Sequence, residues 1–149
     1  MALTIERWMK LAVHTVKPRD SVAHARTLIE EHRINQLPVV QAGRLIGIVT
    51  DRDLRDASRA VGIAAEAVSG HQGKADPDKI PVEAVMSSNV ITLRPTDTIE
   101  EAARVMRRER FGALPIVEKG ALRGILTRSD LLEVLLEMSA RLQEKGIEL

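Results

Sequence analysis

The chain of 149 residues contains no cysteine and no tyrosine, and its aromatic side chains are limited to Trp8 and Phe111. Without cysteine there are no disulfides, thiolate nucleophiles or thiolate metal ligands, which fits a reducing compartment. Two aromatics give no stacking platform for single-stranded nucleic acid. Net charge is +1, so no global field recruits DNA or anionic lipid. No apolar run approaches the ~20 residues needed to span a bilayer, and the opening MALTIERWMKLAV lacks a continuous signal-peptide core. A soluble, cytoplasmic protein with no membrane or nucleic-acid partner is expected. The four histidines, His14, His24, His32 and His71, show no metal-ligand spacing, so no metal is expected. Neither a Ser/His/Asp order nor a Walker loop is present, and no catalytic residue is assigned.

What the chain does have is a repeat. An offset of 77 positions carries Pro18 to Pro95, Pro38 to Pro115, Gly43 to Gly120 and Gly47 to Gly124. Met9 and Met86, Thr15 and Thr92, Asp20 and Asp97, Leu37 and Leu114, Thr50 and Thr127, and Asp53 and Asp130 obey the same offset. Proline, glycine and aspartate at matched places are turn and cap residues, so the copies share turns as well as apolar content. The protein is read as two copies of one unit: residues 1–68, a polar, breaker-rich linker over 69–80, and residues 81–149. Each copy holds only about 50 to 60 residues, a length at which burial is marginal, so neither is expected to fold alone.

Periodicity assigns the elements. Ile5 to Met9 and its repeat, Val82 to Met86, read as short helical turns. Val13 to Val16 and Val90 to Leu93 read as short strands. Ser21 to Arg33 places Val22, Ala25, Leu28 and Ile29 at helical spacing. The matching helix opens on a capping box, Thr98-Ile99-Glu100-Glu101, and runs to Arg110 with Ile99, Ala102, Ala103 and Met106 as its buried stripe. Leu37 to Val40 and Leu45 to Val49 form a hairpin across Gln41-Ala42-Gly43, repeated by Ala113 to Val117 and Leu122 to Leu126. A helix starts near Thr50 and reaches at least Ala57, followed by Ile63 to Val68. The last helix runs from about Arg128 to Lys145 and stops at Gly146. The arginines Arg104, Arg107, Arg108 and Arg110 interleave with Glu100, Glu101 and Glu109, so they read as a solvated face.

The chemistry-bearing stretch is Gly47-Ile48-Val49-Thr50-Asp51-Arg52-Asp53-Leu54, written again as Gly124-Ile125-Leu126-Thr127-Arg128-Ser129-Asp130-Leu131. Each copy passes from a buried strand into a helix with Thr at the junction. The hydroxyl there caps free backbone N–H groups, and those groups, backed by the helix dipole, also suit a phosphate. The Asp follows one turn later with two acceptor oxygens that suit a ribose diol. Two readings stand: a cap with a first-turn carboxylate, or a nucleotide seat. Arg128, directly after Thr127, has a planar multi-donor head for phosphate, whereas Asp51 in the matching place repels one.

These residues resemble the CBS motif, a β-α-β-β-α unit that occurs in tandem as a Bateman module. The likeness lies in Thr15 to Asp20 and Thr92 to Asp97, in Leu37 to Val40 and Leu114 to Val117, and in the doubled G-x-x-T-x-x-D. GIVTDRDLRDA is further similar to the acetoin-utilisation B group, although the extra small C-terminal domain that group often carries is not expected here. The resemblance implies an α/β (α+β) fold in which two motifs pack sheet to sheet about a pseudo-twofold, with adenosyl ligands in the clefts between them. It places Thr50 and Thr127, with Arg52 and Arg128 beside them, at phosphate, and Asp53 and Asp130 at ribose. Thr15, Val16, Thr92 and Leu93 would line adenine, with Leu37, Pro38, Leu114 and Pro115 near it. His14 adjoins the adenine segment.

The implied function is a regulatory module that senses AMP, ADP, ATP or S-adenosylmethionine and signals to an unidentified partner protein. No cofactor is required. The alternative is a structural dimerisation module with no bound ligand. Leu131, Leu132, Val134, Leu135, Leu136, Met138 and Leu142 cover more than one stripe of the final helix. A homodimer is expected, as CBS pairs commonly dimerise through such helices.

Overall fold

The computed structural model describes residues 3–57, 59 and 76–148. The expected segment Ile63 to Val68 and the linker stretch 69–75 lie outside the described residues. The helices are α1 (Val22–His32), α2 (described over 51–57), α3 (Ile99–Glu109) and α4 (Arg128–Glu144). The strands are β1 (Gln36–Gln41), β2 (Arg44–Thr50), β3 (Ala113–Glu118) and β4 (Ala121–Thr127). The result is a mixed α+β fold with the same element order in both repeats.

Each strand pair is an antiparallel hairpin. Gln41 faces Arg44 and Glu118 faces Ala121, leaving two-residue turns at Ala42-Gly43 and Lys119-Gly120. All four turn residues have positive φ, 50° and 78° in the first turn and 51° and 81° in the second. Such a turn matches the twist of the flanking strands, and glycine at its second position carries no steric cost. The predicted hairpins therefore form where expected, one residue longer at most ends.

The opening strands do not form as predicted. Val13 to Val16 is reduced to one parallel bridge, Val16 with Val39, and Val90 to Leu93 to one, Leu93 with Ile116. The reason is proline. Val16 N–H donates to the Pro38 carbonyl at 3.1 Å and Val40 N–H donates to the Val16 carbonyl at 2.9 Å. Continuing this parallel ladder needs N–H donors at Pro38 on one side and Pro18 on the other, and proline has none. Pro115 and Pro95 impose the same limit on Leu93.

Helix ends follow side-chain chemistry. Ser21 accepts from His24 N–H and Thr98 from Glu101 N–H at 3.1 Å. Arg33 and Arg110 close α1 and α3 in the left-handed conformation. The buried stripe of α3 is Ile99, Ala102, Val105 and Met106; Ala103, expected inside, is exposed. Lys17 N–H and Arg94 N–H donate to Asp20 and Asp97 at 2.7 Å each, which tightens the turn before each helix. The Arg94 backbone bond, with its guanidinium in support, lowers the Asp97 pKa against the opposing effect of burial.

Contacts divide the chain into two compact units that cut across the repeats: the chain start through Val13 joins the residues from Ile91 onward, and His14–Val90 forms the other. The core of His14–Val90 contains Val22, Ala25, Ile29, Leu37, Val39, Val49 and Leu54 from the first repeat, with Ile80 from the end of the linker and Val82 from the opening turn of the second repeat. The other core contains Ile99, Ala102, Val105, Met106, Leu114, Ile116, Leu126 and Val134, with Ile5 from the opening turn of the first. Each opening turn thus serves the core of the other repeat. Residues 76–80, the end of the expected linker, include a 3-10 turn and the core residue Ile80.

Backbone pairing fixes the exchanged turns. Ser87 and Ile48 trade N–H···O bonds of 2.9 Å each, and Lys10 and Ile125 trade bonds of 2.8 and 3.0 Å. Such approach needs a neighbour without a side chain. A Cβ on Gly47 would stand 2.5 Å from Met86 Sδ and 3.0 Å from the Ser87 oxygen. A Cβ on Gly124 would stand 2.8 Å from the Lys10 oxygen and 2.9 Å from Met9 Sδ.

Two outcomes follow from this packing. A fragment Met1–Ser69 lacks Ile80 and Val82 and strands Ile5 without its core. Each lost side chain removes about 1.5–3 kcal/mol of burial, a large part of a margin of about 5–15 kcal/mol. The fragment should show no cooperative thermal transition by circular dichroism; a sharp melt of the monomeric fragment would contradict the exchange. Gly47→Ala and Gly124→Ala should each destabilise by about 1–3 kcal/mol. Gly124→Ala should be the worse in denaturant titration, because main chain blocks its Cβ while Met86 can rotate.

Candidate functional site

The doubled Thr-Asp motif folds as a reciprocal cap in both repeats. At the start of α2, Asp53 N–H donates to Thr50 Oγ1 at 3.1 Å and Thr50 N–H donates to Asp53 Oδ2 at 2.9 Å. At the start of α4, Asp130 N–H donates to Thr127 Oγ1 at 3.3 Å, and Thr127 N–H donates to Asp130 Oδ2 at 2.7 Å. Thr127 Oγ1 also donates to Asp130 Oδ2 at 2.9 Å. The sequence placed a capping box at Thr98; the boxes closed on both sides are these two, with Asp in place of Glu. Each holds its carboxylate beside a helix N-terminus, where negative charge is favoured.

The surroundings of the two carboxylates differ. Asp53 is half-buried, whereas Asp130 is 2% exposed, the single buried charged residue among those described. Lys10 compensates it, with Nζ 3.6 Å from Asp130 Oδ1. Sequence reasoning missed Lys10. Its signal was there in the repeat alignment, where Ser87 occupies the matching position.

The other site candidates are distributed as follows. Arg52 pairs with Asp56 at 3.7 Å on the exposed face of α2, and Asp51 with Arg55 at 3.1 Å. Arg128 turns back to the end of α3, donating to the Phe111 carbonyl at 3.2 Å and the Arg110 carbonyl at 3.3 Å. Its cation there complements the C-terminal dipole. Val16 is buried and Thr15 exposed; Thr92 and Leu93 are half-buried. Leu37, Leu114, Pro38 and Pro115 are buried. His14 stacks on His32 with centroids 3.6 Å apart and planes at 13°; His71 lies outside the described residues. A shallow hollow of about 280 Å³ in His14–Val90 is lined by Arg19, Ser21, Asp78, Lys79, Ile80, Pro81 and Glu83, which include none of the motif residues. On α3, Arg104 pairs with Glu100 and Arg108 with Glu109, as a solvated face does. Among the described residues no three His, Cys, Asp or Glu side chains group as metal ligands, and no helix is long and apolar enough to cross a membrane.

Comparison with known proteins agrees with the repeat. The CBS-domain pattern matches residues 5–60 and 82–137. The CBS domain-containing protein YhcV of Bacillus subtilis is 30% identical over 128 residues, covering 86% of this chain and 82% of YhcV. A Vibrio cholerae structure assigned as an acetoin utilization protein (AcuB) is 29% identical with a TM-score of 0.76, covering 97% of this chain and 98% of that one. CBSX2, solved in complex with AMP, is 28% identical with a TM-score of 0.76, covering 92% of this chain and 98% of that one. With the pattern matched in both repeats and relatives aligned along nearly their whole length, the chain belongs to the CBS-domain family as a tandem pair.

Proposed function

We propose that the chain is a regulatory module that binds an adenosyl ligand, AMP, ADP, ATP or S-adenosylmethionine, and signals the occupancy to a partner protein in a reducing, cytoplasmic setting. The observation that carries this reading is the doubled Thr-Asp box, kept in both repeats with each carboxylate fixed at a helix start. The AMP complex of CBSX2 supports it through the family likeness. In this reading Thr50 and Thr127 meet phosphate, and Asp53 and Asp130 accept from ribose hydroxyls. Thr15, Val16, Thr92 and Leu93 line the base. The module binds and does not turn over its ligand, since the motif offers acceptors and caps rather than a nucleophile with its base.

Removal of one carboxylate tests the assignment. Loss of a charge-assisted hydrogen bond costs about 1.5–3 kcal/mol, hence about tenfold or more in affinity. Asp53→Ala should show this in calorimetric titration with AMP, and Asp53→Asn should lose less. Deoxyadenosine analogues should bind wild type more weakly and lose little more in Asp53→Ala, since both remove one contact. Asp130→Ala should weaken binding too, and each of the two alanine variants opens one capping box at a stability cost of about 0.5–2 kcal/mol. Unchanged affinity for the ribo ligand in both alanine variants would leave the boxes as caps and favour the dimerisation role.

That second role has its own observation. On α4, Leu132, Leu135, Leu136 and Met138 are 59, 58, 69 and 44% exposed, while Val134 is buried and Leu131 packs against the core. We assign this stripe to a second copy of the chain, the arrangement that CBS pairs commonly use. Sedimentation should give about twice the 16.4 kDa chain mass, and Leu135→Glu should shift it toward monomer. A wild-type monomer at high concentration would exclude the dimer.

A further inference from the structure

Lys10 makes the two motifs chemically unequal. Its main chain pairs with Ile125, as that of Ser87 pairs with Ile48, and this pairing brings its side chain to Asp130. The ammonium lies 3.6 Å from Asp130 Oδ1 and the Lys10 side chain is 55% exposed, so the head is held by one ion pair on a flexible stem. Asp130 Oδ2 is taken by the Thr127 N–H and hydroxyl, leaving Oδ1, the oxygen that Lys10 claims. Ser87 carries no charge at the corresponding place, and Asp53 keeps its box with Thr50. Arg128 is engaged on the carbonyls of Arg110 and Phe111, so Lys10 is the cation that faces this carboxylate.

We infer that Lys10 is a specificity residue of the second-repeat site, favouring an adenosyl ligand that carries phosphate over a neutral nucleoside. The inference rests on the adenosyl reading above and assigns it a charge preference. A diol that approaches Asp130 competes with the ammonium for Oδ1. A neutral nucleoside returns nothing for the displaced ion pair, whereas a nucleoside phosphate offers the released ammonium a new anion. The Asp53 site, with serine in place of lysine, has no such competition and accepts both ligands more evenly.

The test titrates adenosine and AMP calorimetrically into Asp53→Ala protein, which retains the second-repeat site, with and without Lys10→Ser or Lys10→Met. Lys10→Met keeps most of the stem and removes the charge alone. AMP should bind more tightly than adenosine with Lys10 present, and both variants should narrow that ratio by about two- to fivefold, the scale of one partly exposed ion pair. Ser87→Lys, placed in Asp130→Ala protein, should create a similar preference at the first-repeat site. A ratio unchanged by both Lys10 variants overturns the inference while the adenosyl reading stands. Failure of wild type to bind either compound overturns both.

Discussion

Two backbone pairings, Lys10 with Ile125 and Ser87 with Ile48, hold the rest in place. Each joins an opening turn to the strand that leads into a Thr-Asp box, and each needs glycine, at 124 or 47, to let main chain approach main chain. From the pairing follows the core, because Ile5 and Val82 enter behind it and are fully buried. In the second repeat the neighbourhood of the candidate site follows as well, since Lys10, which makes the bond, also stands beside the Asp130 carboxylate. The glycine of G-x-x-T-x-x-D is thus a packing residue for the exchanged turn, and its contribution to the site is indirect.

Much of this was legible in the sequence, and what was not has physical reasons. Hairpins, turns and caps depend on local residue types, so Gly43, Gly120, Thr50 and Thr127 announced them. The exchange of opening turns is invisible to periodicity. Ile5 and Val82 are apolar residues at equivalent positions, and a pattern states that such a residue is buried without stating in whose core. The opening strands were overcalled because Val13 to Val16 is apolar enough for a strand. Whether it forms a ladder depends on N–H donors across the sheet, and Pro38, distant in sequence, withholds one. Ala103 and Val105 traded places because small alanine fits either face of α3, whereas valine gains more from burial.

At the candidate site, the position of Thr and Asp was readable, but the allegiance of the charges was not. Arg128 follows Thr127 directly, a place that suits phosphate in sequence, yet the carbonyls at the end of α3 lie within its reach and take its donors. A long cation is drawn to whichever unsatisfied acceptors the tertiary fold sets nearby, and helix ends always offer some. Lys10 shows the converse. It is more than a hundred residues from Asp130 in sequence, and only the exchanged turn brings it to that carboxylate.

The duplication therefore supplies two copies of a box with different electrostatic surroundings. Burial raises the cost of an uncompensated charge, so the deeper Asp130 requires a cation and has one in Lys10, while half-buried Asp53 can rely on solvent and the helix start. A duplicated unit that kept both Thr-Asp pairs but diverged at Lys10 and Ser87 retains one geometry while separating two charge environments. Such a pair suits a module that must tell apart ligands sharing an adenosyl group and differing in phosphate. The group proposed to discriminate sits outside the motif, on the turn that the first repeat lends to the second.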